Sequence, residues 1–299
     1  MKDFDEILTA EQEIQETERP AFDKEAWKEK QAQNRETAYE IVDTTAAQVS
    51  IDGSKFQQYL DKQIQFDRYS VRNALLIMAK RPDAVKIGDK GYWKEQGFYI
   101  RKQEKDNPIL ILEPSNNAFV RDDGKVGQYY NAKEVYDISQ TTAKLKQPQQ
   151  ATRDMGLLLN ALIYKRPVEV STVEGFPYEA QYQTESKEIL VRSGMELPDV
   201  FRSLSKELAH AEFARKDENY SYDEADFKAT CVSYMLCKKN GLDTSNIDVG
   251  RLPDEFADME TSEIIGELST IRDTANDISS RMAKVFEQHK PQKNQEQER

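Results

Sequence analysis

The stretch "SLSKELAHAEF", residues 203–213, decides the prediction of the fold. It matches the pattern His-Glu-x-x-His at every position but the first, where Lys206 precedes Glu207 and His210. Two histidines four residues apart on a helix can hold one zinc ion, and the glutamate between them can accept a proton from the metal-bound water. Apolar residues at intervals of three and four, from Leu197 to Leu208, predict an amphipathic helix around this motif.

Few other ligands stand near this motif in the sequence. A lysine amine binds zinc only after it loses a proton, and its reference pKa is about 10.4. The second histidine of the chain, His289, lies in the C-terminal tail. Glu224 follows His210 by fourteen residues on the next predicted helix and could face the same site. An interpretation without metal stays open, because Glu-x-x-His on a helix also occurs in surface pairs and helix-stabilising contacts.

Composition limits the classes of function. The 299 residues are 38% hydrophobic and 32% charged, and the formal net charge is −12. These values favour a soluble protein and argue against a chain that coats nucleic acid over its whole surface. The acidic N-terminus lacks the apolar run of a signal peptide, and no window approaches the roughly 18 apolar residues of a membrane span. Cys231 and Cys237 fall on different faces of one predicted helix, so we expect reduced thiols, a cytoplasmic location and no membrane partner.

The chain divides by composition and periodicity into segments. Residues 1–33 are charged and rich in Gln and Glu, which predicts a flexible acidic arm, and residues 289–299 form a tail that we expect to be disordered. Helical and then strand-like patterns over residues 34–141 predict a helical domain with a small sheet. A polar, proline-containing stretch near 141–152 marks the boundary. Residues 152–288 predict a second domain, in which short strands, with a hairpin turn at "TESK", pack on helices. The fold class is therefore predicted as α+β with two domains.

The stretch from Lys62 to Lys105 is basic within an acidic chain. It contains eleven Lys or Arg and five Asp or Glu, a formal charge of +6, and aromatic residues are interleaved with them. Single-stranded nucleic acid binds where cations follow a groove and aromatic faces stack on bases. The same side chains could instead belong to a core and to a solvated surface. The candidate contacts are Arg72, Arg101 and Lys102 for phosphates, Tyr69 and Trp93 for stacking, and Asn73 for a base edge or a cap of local backbone.

Two adjacent parts of the chain resemble one family. Within residues 155–240, the pieces "AQYQTESKEILVRSGM", "LSKELAHAEF" and "DEADFKATCVSYML" resemble the minimal metallopeptidase domain of ArdC-type antirestriction proteins and their ImmA/IrrE-like relatives. The piece "FDRYSVRNALLIMAKRPDAVKIGDKGYWKEQGFYIRKQEK" is similar to the single-stranded-DNA-binding domain that precedes the peptidase there. Together the matches cover about residues 34–240.

The resemblance implies a role for each matching position. Glu207 corresponds to the catalytic glutamate, His210 to the second zinc ligand and Glu224 to the third, while Lys206 replaces the first ligand. It also implies a minimal zincin-like second domain, with a small antiparallel sheet, and a mobile genetic element that protects its DNA from host defence. Because a buried carboxylate without metal needs a partner, we expect Lys206 to pair with Glu207 or Glu224 and no cofactor to bind.

Three functions compete at this stage. The first is a DNA-associated accessory or anti-defence protein that binds single-stranded DNA and uses a degenerate, catalytically inactive peptidase domain as a scaffold or partner surface. The second is an active metallopeptidase with Zn as cofactor, in which another group replaces the first ligand. The third is an acidic interaction protein or DNA mimic that inhibits a host defence protein, which the net charge of −12 suits.

Overall fold

The structure is a computed structural model that describes residues 23–120, 124, 126–144 and 154–289. Helices and two small sheets make up an α+β fold, which confirms the predicted class. Among these residues, none of the helices combines the length and apolar character that crossing a membrane requires. The arm over residues 1–22, the linker from 145 to 153 and the tail from residue 290 onward lie outside the described residues.

Three helices begin the described chain: α1 (Lys24–Ile51), α2 (Gly53–Gln65) and α3 (Val71–Lys80). The carboxylate of Asp23 accepts hydrogen bonds from two backbone N–H groups in the first turn of α1, so the helix begins there. The structure places residues 24–33 in α1, and the boundary between arm and domain after residue 33 stays a prediction. The first buried residue of α1 is Ala38, so its exposed start has no apolar stripe that a sequence could show.

A three-stranded antiparallel sheet follows, with strand order β1-β3-β2. Its strands are β1 (Ile87–Gly88), β2 (Ile109–Val120) and β3 (Val126–Asp137), the short helix α4 (Lys90–Glu95) lies between β1 and β2, and 3-10 turns form at Lys102–Glu104 and Ile138–Gln140. Ile109, Ile111 and Val135 pack with Phe66 and Ile77 into a small apolar cluster. This cluster supports the surface that carries the basic stretch.

The second half contains a mixed sheet and four helices. Its elements are α5 (Met155–Leu162), β4 (Glu169–Val173), β5 (Ala180–Gln183), β6 (Glu188–Arg192), α6 (Leu197–Lys216), α7 (Tyr222–Lys239), a 3-10 helix (Asp254–Asp258) and α8 (Thr261–Gln288). β5 and β6 form the predicted hairpin, with Lys187 in the left-handed region at φ 55°. The prediction of an antiparallel sheet is wrong for β4, which lies on the far side of β6 and runs parallel to it.

The largest apolar core runs through both halves of the chain. It joins residues of α1, α2 and α3 to residues of α5, α6, α7 and α8. Polar contacts cross the same boundary: the hydroxyl of Tyr234 donates to Asp61 at 2.7 Å, and Lys239 pairs with Asp67 at 2.8 Å. A division into two domains stays a prediction, and the shared core places α7 against the N-terminal helices.

Candidate functional site

A cleft of about 360 Å³ lies between β5, α6 and α7, where the motif faces the sheet. Lys206 and Glu207 line it from α6, and Tyr222 lines it from the start of α7. The cleft also takes in Glu179 next to the edge strand β5, and Arg202 one turn before the motif. The amphipathic helix that the sequence predicts thus places its motif at a cavity and not on open surface.

Lys206 pairs with a carboxylate that the sequence prediction did not select. Its Nζ lies 2.7 Å from Oδ1 of Asp226, so the predicted pairing with Glu207 or Glu224 is wrong. Asp226 follows Tyr222 by one helical turn, and residues four apart lie on the same face of a helix. Glu224 is two residues from each of them, and its exposed side chain lines a separate pocket. The carboxylate of α7 that faces Lys206 and His210 is therefore that of Asp226 and not that of Glu224.

The imidazole ring of His210 is buried and contacts Tyr220, Tyr222 and Asp226. Its side chain is fully buried, and its ring stacks on the ring of Tyr222 at 4.0 Å and 7°. Nδ1 and the hydroxyl of Tyr220 share a hydrogen bond of 2.8 Å. Nε2 lies 3.4 Å from Oδ1 of Asp226 and has no hydrogen-bond partner among the described residues. The imidazole thus points at the same carboxylate oxygen as Lys206.

Glu207 joins three elements of the site. Its Oε2 accepts a 2.7 Å hydrogen bond from the backbone N–H of Tyr182 on β5, and the hydroxyl of Tyr222 lies 3.0 Å from both carboxylate oxygens. Burial raises the pKa of Glu207, against the opposing effect of His210 and of these hydrogen bonds. The carboxylate is therefore already engaged with groups that hold β5 and α7 against α6.

The pKa of Asp226 is lowered, whereas that of Glu207 is raised. The contact of Asp226 with the ring of His210 and its ion pair with Lys206 hold its pKa at about 2, although partial burial acts in the other direction. The lysine ammonium thus supplies positive charge beside the acidic side chain of α7. This geometry is the one expected when a cation of the protein neutralises the carboxylate.

The residues present do not fit a zinc ion. Within the described part of the chain, no group of three or more His, Cys, Asp or Glu side chains is arranged to hold a metal. His210 and Asp226 supply two donors, and Lys206 brings an ammonium to the sequence position where the motif would have its other histidine as the third donor. Metal-activated water is therefore no part of the chemistry that we derive for this cleft.

Comparison with known proteins finds likenesses both to solved structures and to a curated protein. Two crystal structures, one metal-free and one Mn(II)-bound, are 17% identical to this chain, cover 72% of it and 84% of their own chain, and have TM-scores of 0.47 and 0.49. Both are structures of the antirestriction protein ArdC from plasmid R388. ArdC-type proteins are the family that the sequence motifs resemble, and the ImmA/IrrE-like likeness stays a prediction.

The curated protein is an uncharacterized protein of Bacillus anthracis, pXO2-81. It is 24% identical over an alignment of 241 positions, and the match covers 62% of this chain and 40% of the relative. The chain thus matches less than half the length of that relative. No family model matches the chain.

In the N-terminal half, two of the residues predicted to contact DNA, Trp93 and Asn73, are buried and bonded within the protein. Trp93 is 1% exposed, and its Nε1 donates a 2.9 Å hydrogen bond to the carbonyl of Tyr136, so it is a core residue. The amide of Asn73 accepts from the N–H of Leu112 at 2.7 Å and donates to its carbonyl at 3.0 Å. Asn73 therefore joins α3 to β2, and neither side chain is free to meet a base.

The other candidates remain accessible. Arg72, Arg101 and Lys102 are exposed, and Tyr69 is half-buried, with its ring edge against Phe66. Sequence reasoning missed Tyr99, which is 62% exposed. The sequence signal for Tyr99 is the alternation of an apolar residue, Ile100, between Tyr99 and Arg101. Ile100 pairs with Thr141 in an isolated bridge, and residues two apart on such an extended segment lie on the same side. Tyr99 and Arg101 thus offer a ring and a guanidinium side by side.

The cations of the two halves differ in their partners. Every lysine and arginine on α6 and α7 forms an ion pair with a carboxylate. In the stretch 62–105, by contrast, ion pairs involve Arg81 with Glu104, and Lys90 at 4.0 Å from Glu134. The exposed cations of this stretch that have no carboxylate partner among the described residues are Arg68, Arg72, Lys80, Lys86, Lys94, Arg101, Lys102 and Lys105. We call these eight side chains the unpaired cations.

Proposed function

We propose that this protein is a DNA-associated anti-defence protein that binds single-stranded DNA through its N-terminal half. The observation that supports it is the set of unpaired cations, which contrasts with the paired cations of α6 and α7. Lysine and arginine without carboxylate partners are free to contact phosphates, and phosphate contacts supply most of the sequence-independent affinity for nucleic acid. A chain with a net charge of −12 would otherwise repel DNA.

The aromatic side chains favour single strands over duplex. Tyr99 presents 62% of its surface beside Arg101 and Lys102, and a base can stack on an exposed ring only when the base faces are free. Tyr69 offers a second, half-buried ring next to Arg68 and Arg72. The expected ligand is therefore single-stranded DNA with little sequence preference, since stacking tolerates every base.

The peptidase-like cleft acts in this proposal as a binding surface and not as a hydrolase. Its support is the 2.7 Å pair between Lys206 and Asp226, which neutralises the carboxylate without a metal. The hydrogen bonds of Glu207 to Tyr182 and Tyr222 already occupy the carboxylate that would otherwise act as a base. The partner in the cleft would be a protein of the host defence, in line with the motifs that resemble ArdC-type proteins of mobile elements.

The proposed DNA binding is tested by titrating the full chain into a labelled single strand and into the duplex of equal length. We expect tighter binding to the single strand and a logarithmic salt slope of about −0.7 per phosphate contact. The triple variant Arg72→Gln/Arg101→Gln/Lys102→Gln should weaken binding by about tenfold and make the slope shallower by about 2, because three contacts are lost.

The matched control removes three exposed cations from the C-terminal half, with Lys165→Gln/Lys187→Gln/Arg251→Gln. This variant has the same net charge as the first and should bind as the wild type does. Equal losses in the two variants would reduce the effect to general charge attraction and would overturn the proposed site. A full chain that ignores single strands at low salt would overturn the function itself.

A further inference from the structure

One part of the basic stretch surrounds a single aromatic cluster. The Nζ of Lys86 lies 5.5 Å from the ring centre of Tyr92 and 5.8 Å from that of Trp93, and the Nζ of Lys90 lies 5.4 Å from the ring centre of Tyr136. Lys94 follows Lys90 by one turn of α4. We call Lys86, Lys90, Lys94 and the ring of Tyr92 the Lys86–Lys94 surface. All three lysines are exposed, Lys90 and Lys94 share one face of α4, and Lys86 lies over the ring of Tyr92.

The start of α1 lies against the edge of this surface. Glu134 on β3 pairs with Lys30 of α1 at 2.8 Å, and the same carboxylate lies 4.0 Å from Lys90. Asp23, the cap of α1, precedes Lys30 by seven residues, which is a rise of about 10 Å along a helix. The chain that leads into α1 therefore reaches the fold close to the Lys86–Lys94 surface.

The segment before α1 is complementary to this surface in charge. Residues 1–22 contain seven acidic and two basic side chains, a formal charge of −5, together with Phe4, Ile7, Leu8 and Ile14. A segment of 22 residues reaches up to about 70 Å when extended, so its length does not limit where on this half it can bind. Its carboxylates can take the position of phosphates on the cations, and its apolar side chains can contact an aromatic ring.

We propose that residues 1–22 dock on the Lys86–Lys94 surface and compete there with single-stranded DNA. The arm is then an internal mimic of the nucleic acid, and the protein regulates its own DNA binding. This inference rests on the proposed function, because it names the regulation of the same site. Ligands that bind strongly enough, such as long single strands, displace the arm, whereas short or duplex DNA does not.

The size of the effect follows from the tether. A short flexible linker gives an effective concentration on the order of 1 mM, and weak electrostatic contacts of this kind have dissociation constants near 0.1 mM. An arm with these values occupies its surface most of the time and weakens a competing ligand by about tenfold. Salt reduces both the arm contact and the DNA contact, so the difference between proteins with and without the arm narrows as salt rises.

The test compares three proteins by their affinity for one labelled single strand at low salt. They are the full chain, the chain without residues 1–22, and a full chain in which the seven acidic residues of the arm become Asn or Gln. We expect the second and third proteins to bind about tenfold more tightly than the first. A control arm that keeps every charge but carries Thr9→Ser, Gln12→Asn, Gln15→Asn and Thr17→Ser should bind as the full chain does.

A second measurement is independent of DNA. Acetylation of lysines, followed by mass spectrometry, should be faster at Lys86 and Lys94 when residues 1–22 are absent, while the exposed Lys187 of the β5–β6 turn keeps its rate. Equal acetylation rates with and without the arm would overturn the docking, whatever the DNA result. Equal DNA affinities of all proteins would overturn the competition but leave the proposed function intact. No binding by any of them would overturn the proposed function and the competition with it, and the acetylation rates would then decide the docking.

Discussion

Replacing Lys206 by methionine tests whether its charge neutralises the cleft. The change removes the ammonium 2.7 Å from Asp226 and keeps most of the apolar stem of the side chain. The carboxylate would retain its contact with Nε2 of His210, at 3.4 Å. We therefore expect a loss of stability that depends on the presence of Asp226.

The size of the loss follows from exposure. The side chains of Lys206 and Asp226 are 29% and 42% exposed, so solvent screens much of their attraction. Fully exposed pairs couple by about 0.2–1 kcal/mol, and breaking a buried pair costs about 3–5 kcal/mol. For this half-exposed pair we expect a coupling energy of about 1 kcal/mol, near the top of the exposed range.

Urea unfolding of a double-mutant cycle measures this coupling. The proteins are the wild type, Lys206→Met, Asp226→Asn and the double variant, all near neutral pH. The matched control is the cycle Lys216→Met with Asp277→Asn, a pair at 2.9 Å whose side chains are 42% and 51% exposed. We expect less than about 0.5 kcal/mol there. A coupling between Lys206 and Asp226 no larger than the control would refute the idea that the lysine replaces a metal charge.

The pH dependence of the same cycle gives a second check. The pKa of Asp226 lies at about 2 in the folded protein, below its ordinary value of 3.8. A depressed carboxyl pKa stabilises the fold above the unfolded value and ceases to do so as pH falls through the folded value. The coupling should therefore be constant down to about pH 4 and disappear by about pH 2. A coupling that vanishes already near neutral pH would point to a different titrating group.

Three further outcomes follow from the structure. Trp93→Phe should lower the free energy of unfolding by about 2 kcal/mol, seen in urea unfolding, and leave the affinity for single-stranded DNA unchanged; lost affinity at full stability would make Trp93 a stacking residue after all. Asn73→Ala should cost about 2–3 kcal/mol in the same assay, because it leaves buried backbone groups unpaired, whereas Arg72→Ala beside it should change stability by less than about 0.5 kcal/mol. Lys206→His should raise the zinc content toward one per chain, measured by elemental analysis, and adding Asp226→Asn should remove that zinc; an unchanged content would show that the cleft lacks the geometry for metal.

Local patterns predicted much of the site's framework. The spacing from Leu197 to Leu208 placed the motif on a helix, and "TESK" marked the hairpin between β5 and β6, because both depend on residues close in sequence. The α+β class followed from the order of such elements. What these patterns could not supply was the rotation of one helix relative to another.

The choice between Glu224 and Asp226 as the carboxylate that faces His210 shows this limit. Glu224 and Asp226 stand on the same helix, and spacing from His210 does not say which of them faces α6. The choice depends on the start of α7 at Tyr222 and on the stacking of that ring against His210, which are tertiary contacts. Aromatic composition had the same weakness, because Trp93 in the basic stretch looks equally suitable for a base and for a core until its burial is known.

The measurement that tests the account most directly is the metal content of the purified full chain. The central claim is that this protein acts by binding and not by metal-dependent hydrolysis, because Lys206 pairs with Asp226 where a metal would need a ligand. Elemental analysis after dialysis against zinc, and then against metal-free buffer, should find far less than one zinc per chain in both the wild type and His210→Ala. A content close to one zinc per chain that is lost in His210→Ala would contradict the claim and would favour an active metallopeptidase site in this cleft.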